Sequence, residues 1–216
     1  QQIKDTFGHL PTDAFVETLA RKTQFVPRAD FTPGVHLHGY LLYAALSNYL
    51  QVHTEKRSIN ILETGTARGF SSVCMARALA DSDREGKIIT VDVLPVATPI
   101  YWNCVTDLTG KLDRFDLLRD YSDLIDRYLV FLQGYSEICL SQLGLSRVHF
   151  CFLDAAHTYE AVRAELEYVI PRQEPGDIII DGGNSLYTDT QRRTEQLKSQ
   201  GLLYLGVGVS GVEEGA

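Results

Sequence analysis

The chain has 216 residues, 44% of them apolar and 22% charged, and a formal net charge of −8. That length suffices for one sizeable core. The acidity, with no Lys/Arg-rich block, argues against a surface that replaces counterions on duplex nucleic acid. No apolar run approaches the ~20 residues of a membrane span, and the opening Gln-Gln-Ile-Lys-Asp does not read as a signal peptide. The four cysteines (Cys74, Cys104, Cys139 and Cys151) lack CxxC or Cys/His metal spacing. Cys74 and Cys151 lie in apolar runs, so a reduced, cytoplasmic protein is expected.

Thr12 and Asp13 are placed to cap a short helix carrying Phe15, Leu19 and Ala20. Pro27 and Pro33 then break the chain. Residues 36–52 read as a second helix, with Leu41, Leu42, Ala45, Leu46 and Leu50 on a broad apolar face. His36 and His38 open that helix, either lining a substrate entrance or standing at a solvated helix start. Residues 1–57 are expected to form a helical cap.

An apolar strand over 59–62 runs into Glu63-Thr64-Gly65-Thr66-Ala67-Arg68-Gly69, and a helix opens at Phe70-Ser71-Ser72. Strand, glycine loop and helix in that order put backbone N–H groups and a helix N-terminus at the carboxyl end of a strand, where an open α/β sheet binds a nucleotide-like ligand. The dinucleotide fingerprint needs G-x-G-x-x-G; here the pattern is E-x-G-x-x-x-G-x-S. It resembles motif I of the class I S-adenosylmethionine (SAM) methyltransferases, and the run Gly-Phe-Ser-Ser-Val-Cys-Met-Ala-Arg is similar to the catechol-type small-molecule O-methyltransferases. The resemblance implies that Glu63, Gly65, Thr66, Gly69 and Ser71 hold the amino-acid end of SAM. The alternative is a tight βα turn whose glycines only allow close helix–sheet packing.

Residues 87–92 form a second strand ending in Asp92, about 20 residues past the glycine loop, where a carboxylate accepts from ribose hydroxyls. SAM and NAD enzymes share that acid. The 95–104 loop, with Trp102, is either a lid or an aromatic anchor on the core. Residues 112–128 read as one helix, with Phe115, Leu118, Leu124 and Ile125 facing inward. The third strand, 129–132, is followed by Gln133-Gly134-Tyr135-Ser136. The resemblance implies that Gly134 and Tyr135 touch adenine; a helix cap by Ser136 is the other reading.

A buried fourth strand over 147–154 ends in Asp154-Ala155-Ala156-His157-Thr158-Tyr159-Glu160, and a helix follows to Val169. This is similar to the D-x-x-H-x-Y-E turn of a methyltransferase family related to the macrocin- and catechol-type enzymes. Methyl transfer is an in-line displacement, so the protein aligns the nucleophile and removes its proton. Asp154 is expected to serve as base, cofactor contact or Mg²⁺ ligand. His157 is a second candidate base, or else a helix-start histidine bonded to a neighbouring carbonyl.

From Pro175 the text becomes Pro-Gly-Asp-Ile-Ile-Ile-Asp-Gly-Gly-Asn-Ser-Leu-Tyr-Thr-Asp-Thr-Gln-Arg-Arg and continues to Val-Ser-Gly-Val-Glu-Glu-Gly. Residues 175–216 resemble a segment of 6-phosphogluconate dehydrogenase. By that resemblance Asn184, Ser210 and Gly211 match positions contacting the nicotinamide end and the sugar phosphate, whereas Val212 replaces a second glycine. The N-terminal G-x-G-x-x-G unit and the helical domain with the catalytic lysine and acid are absent from this sequence, so the segment is read as structural. A composite chain joined near residues 175–180 is expected. Both families place P-G-D and an apolar strand at the fifth position of a Rossmann-like sheet.

The expectation is therefore a single α/β domain, a Rossmann-like three-layer sandwich with a mainly parallel sheet in the order 3-2-1-4-5-6. Residues 58–174 are its core and 175–216 its last strands. The expected activity is SAM-dependent O-methylation of a small-molecule acceptor. The alternatives are an NADP-binding, dehydrogenase-derived module and a folded domain without activity. A metal site would use Asp154 and Asp181 and lacks a third ligand. An unprotected last strand favours pairing with a second copy.

Overall fold

The computed structural model describes residues 2–23, 36–156, 158–183 and 187–207. Six strands, β1 (Ser58–Thr64), β2 (Glu85–Asp92), β3 (Leu129–Gln133), β4 (Phe150–Leu153), β5 (Ile178–Asp181) and β6 (Leu203–Gly206), form one sheet. Its order is β3-β2-β1-β4-β5-β6, and every pairing is parallel. Layout and order are those expected of a Rossmann-like α/β fold.

Because side chains alternate across a strand, each central strand feeds two cores. Ile59, Ile61, Phe150, Phe152, Ile178 and Ile180 point to one face. There they meet the helices α3 (Leu37–Val52), α4 (Phe70–Asp81) and α6 (Ser122–Tyr128) through Leu46, Tyr49, Met75, Leu79 and Ile125. Leu62, Cys151, Leu153 and Ile179 point to the other face. They meet α7 (Ser136–Gln142), α8 (Tyr159–Val169) and α9 (Tyr187–Lys198) through Leu140, Tyr168, Val169 and Leu197. Burial on both faces is why the strands read as continuous apolar runs.

Two short N-terminal helices, α1 (Gln2–Phe7) and α2 (Asp13–Thr23), precede α3; α1 lacked a sequence signal. Thr12 caps α2, its hydroxyl accepting from Phe15 N at 3.4 Å. The helix expected over 112–128 is broken. Asp113 caps a single turn, α5 (Arg114–Leu117), accepting from Asp116 N at 2.8 Å. A 3-10 turn over Arg119–Tyr121 then leads into α6. Leu118, at ψ 18°, closes the first piece; Leu118 and Ile125 are buried, whereas Phe115, expected to face inward, is exposed.

The dehydrogenase-like segment is tied into the rest of the chain. Asp177, from its Pro-Gly-Asp start, is buried. It accepts from Tyr49 Oη of α3 at 2.7 Å and from Glu174 N at 2.6 Å, and pairs with Arg147 just before β4. A buried carboxylate needs such partners.

Candidate functional site

β1 delivers the glycine loop. Gly65 has φ +86°, and a Cβ there would lie 2.1 Å from the Asp154 carbonyl oxygen. Only glycine fits both the left-handed backbone and that approach. The loop turns again at Ala67 (φ 45°), and α4 opens from Gly69.

Beneath the loop lies Glu63, 0% exposed. Its carboxylate accepts from the hydroxyls of Ser71 and Ser72 and from Thr90 Oγ1 at 2.6 Å. Thr90 in turn meets Thr66 Oγ1 at 2.5 Å. Burial pushes the Glu63 carboxyl pKa up; the three hydroxyls and the Arg114 charge pull it back. Glu63 and Ser71, with Thr66 joined to them through Thr90, thus brace the loop from below. This differs from the direct ligand contact expected of Glu63. The strand-end acid looks inward because the helix-start serines stack over it.

Asp92 closes β2. Its Oδ2 accepts from Ala67 N at 2.5 Å and its Oδ1 from Leu94 N at 2.7 Å. Beyond β3, Gly134 N bonds to Asp92 O at 2.8 Å, which sets the 134–136 turn beside Asp92. Asp154 follows β4, with its N–H on Thr64 O at 2.9 Å. Its carboxylate packs on Gly182, where a Cβ would come within 2.6 Å of Oδ1. Burial, and then the charges of Glu63, Asp181 and Glu165, push its pKa up to about 7.

These ends surround one cleft of about 440 Å³. Gly65, Asp92, Gly134, Tyr135 and Asp154 line it, with Ala67, Ser136 and Glu137. Its size suits a nucleoside-sized ligand. A cavity of about 500 Å³ between α8 and α9 contains none of the residues expected to be functional. His157, Asn184, Ser210 and Gly211 lie outside the described residues.

The 95–104 loop is anchored to the core. Asp107 accepts from the backbone N–H groups of Trp102, Asn103 and Cys104. Trp102 is buried, with Nε1 on Leu112 O at 2.8 Å. His36 and His38 pack on Phe70, at ring separations of 5.2 and 4.8 Å. Burial, then the His36 charge, push the His38 pKa down to about 4.

The residues do not fit a Mg²⁺ site. Asp181 Oδ1 accepts from Gly183 N at 2.9 Å, and its Oδ2 accepts from Arg193 Nη1 at 3.2 Å and from Tyr204 Oη. With these partners Asp181 is an internal member of the β5–α9–β6 packing. Among the described residues no three His, Cys, Asp or Glu are grouped to hold a metal. Of the expected Asp154–Asp181 pair, Asp181 is thus engaged by Tyr204 and Arg193, both supplied by the dehydrogenase-like segment.

Two residues near the cleft had not been singled out from the sequence. Arg114, 1% exposed, lies over the Trp102 and Phe131 rings at 5.2 and 5.5 Å and donates to Leu94 O. Glu165, also 1% exposed, stands in the buried stripe of α8 formed by Ala161, Val162, Tyr168 and Val169. A signal existed for Glu165: an acid at a core position of a helical repeat.

Sequence and structure comparisons point to different proteins. The family model for the NAD binding domain of 6-phosphogluconate dehydrogenase matches residues 119–216, somewhat under half of the chain. The decarboxylating 6-phosphogluconate dehydrogenase of Dictyostelium discoideum is 58% identical over 57 residues, 26% of this chain and 12% of that protein. The one from Chlamydia pneumoniae is 53% identical over 101 residues, 47% of this chain and 20% of that protein. The chain thus spans a fifth or less of the length of these two curated relatives. In structure, the chain is similar to an O-methyltransferase from Bacillus cereus solved in complex with SAH. That match has a TM-score of 0.54 at 20% identity, covering 92% of this chain and 84% of that one. The two proteins share a Rossmann-like α/β fold. The dehydrogenase match extends further toward the N-terminus than the expected 175–216, as far as residue 119.

Proposed function

We propose that this chain is a SAM-dependent methyltransferase acting on oxygen of a small-molecule acceptor. The observation that carries the reading is the convergence of Gly65, Asp92, Gly134, Tyr135 and Asp154 on one cleft at the strand ends. The fold supports it, as does the SAH held by the Bacillus cereus neighbour.

SAM would supply an electrophilic methyl group on a sulfonium. Asp92 would take the ribose hydroxyls on the lone pairs not used by Ala67 and Leu94. Tyr135, 63% exposed, offers its ring to the base. Gly65 leaves the cleft free of a side chain where the reacting end must come close to Asp154. With its pKa near 7, Asp154 is suited to take the acceptor's proton; His157 is the second candidate. Proton removal by these side chains needs no metal ligand set. The cytoplasmic assignment rests on four free cysteines, three of them buried. A homodimer is suggested by the outer strand β6, where Leu203 and Leu205 are exposed.

The second reading is an NADP-binding, dehydrogenase-derived module, favoured by the family match over residues 119–216. Against it stands the loop after β1, which lacks G-x-G-x-x-G. Calorimetric titration of the folded chain with S-adenosylhomocysteine (SAH) and NADP⁺ separates the readings. Binding of SAH alone supports the first and NADP⁺ alone the second. Binding of neither favours a folded domain without activity.

A further inference from the structure

Arg114 breaks a rule of core composition. Arginine is seldom fully buried unless it is paired, yet this side chain is 1% exposed and lies over the Trp102 and Phe131 rings at 5.2 and 5.5 Å. Among the described residues its Nε and Nη1 have no hydrogen-bond partner. Burial pulls its pKa down, and the charges of Asp92 and then Glu63 hold it up. Apolar residues of similar volume stabilise a core as well as a buried charge does, or better. A guanidinium kept here therefore points to a role beyond packing.

The hydrogen bonds that Arg114 does make run toward Asp92. It opens α5, behind the Asp113 cap. Its backbone N–H donates to Val96 O at 3.0 Å, and its Nη2 donates to Leu94 O at 3.3 Å. Both acceptors belong to the stretch that leaves β2. Leu94 in turn donates its N–H to Asp92 Oδ1 at 2.7 Å, and Leu94 and Asp92 both line the cleft. Leu94 is thus held at its carbonyl by Arg114 and at its N–H by Asp92. The rings that flank the guanidinium come from β3 (Phe131) and from the 95–104 loop (Trp102), so these contacts have a rigid base.

The last torsion of an aspartate side chain has only broad preferences. Hydrogen bonds therefore decide how its carboxylate plane is turned. For Asp92 those bonds come from Ala67 N and Leu94 N. We infer that Arg114 is a positioning residue for ligand binding: through Leu94 it fixes the plane of the Asp92 carboxylate and turns its free lone pairs toward the ribose hydroxyls. This rests on the adenosyl-ligand reading above.

The test is calorimetric titration of the full chain with SAH and with its 2′-deoxy analogue, which lacks one ribose hydroxyl. Wild type should prefer SAH by ~10-fold or more, the scale of one hydrogen bond to a charged group. Arg114→Met removes the charge and the donors and keeps an unbranched apolar body between the two rings. It should lower SAH affinity by ~10-fold and affinity for the analogue by ~3-fold or less, so the preference shrinks. A merely structural loss would weaken both ligands alike, and that result, or unchanged affinities, overturns the inference. In an Asp92→Ala background, Arg114→Met should lower SAH affinity by less than ~2-fold more, because the group it positions is gone. A full additional loss there also overturns the inference. If Arg114→Met does not fold, Arg114→Lys decides, because a lone ammonium lacks the planar fork of a stacked guanidinium. A reduced preference then supports the inference and an unchanged one overturns it. A folded wild type that binds neither compound overturns the adenosyl reading, and one that binds both equally overturns the ribose role of Asp92; the inference falls with either. A preference for SAH that survives in the variants overturns the inference alone.

Discussion

The Asp92 carboxylate accepts a hydrogen bond from the Ala67 backbone N–H at 2.5 Å, tying the end of β2 to the middle of the glycine loop. The same carboxylate holds Leu94 N at 2.7 Å. One acid therefore shapes two walls of the cleft while presenting its remaining lone pairs to a ligand.

Asp92→Ala should weaken SAH binding by ~10- to 100-fold, the scale of charge-assisted hydrogen bonds lost together. Calorimetry reads the affinity, and a circular dichroism spectrum like that of wild type would show that the sheet survives. Undiminished affinity would remove Asp92 from the ribose role.

Gly65→Ala should destabilise the fold by at least ~2 kcal/mol. The backbone is left-handed at φ +86°, and the new Cβ would lie 2.1 Å from the Asp154 carbonyl, so both strain and a clash must be relieved. Urea denaturation measures it. A loss below ~0.5 kcal/mol would mean that the loop accommodates the side chain at little cost.

Asp154 gives the fold a pH signature. Its folded pKa of about 7 exceeds the ordinary 3.8. The folded chain therefore binds the proton more tightly than the unfolded chain does. Its contribution to stability is fully present below about pH 4 and is lost as pH rises through 7. Asp154→Asn, which cannot ionise, should be more stable than wild type at pH 8, and the difference should shrink on acidification to pH 4. Urea midpoints across that range test the sign. The same variant should lose methyl transfer if Asp154 is the base.

Asp177 joins the dehydrogenase-like segment to α3. Asp177→Ala leaves the Arg147 cation and the Tyr49 hydroxyl without their shared acceptor. Arg147 keeps Glu174 and two backbone carbonyls, so the loss should be about 1–3 kcal/mol, the scale of a buried hydroxyl and a charged donor each losing one acceptor. Thermal or urea unfolding should show one cooperative transition, displaced downward. A separate early transition for the C-terminal segment would show instead that β5 and β6 are only loosely coupled to the rest.

The sequence by itself determined the strand sequence, the sheet order, the glycine loop and the acids that end β2 and β4. The strands, the loop and the acids are local, being apolar runs bounded by Gly, Asp and Pro, whereas the sheet order followed from the resemblance to a Rossmann-like family. Tertiary structure decided which of these side chains reach the cleft. Glu63 and Asp92 look alike in sequence, each an acid at a strand end. Glu63 points beneath α4 and is satisfied by Ser71, Ser72 and Thr90, whereas Asp92 stands in the cleft. Asp181 likewise reads as a strand-end ligand until Tyr204 and Arg193, distant in sequence, close on it. Glu165 lies within an ordinary amphipathic stripe, and only packing shows that its carboxylate is buried. The partners of a buried polar group come from other elements of the fold. Its direction and charge state are therefore set by packing that no local pattern encodes.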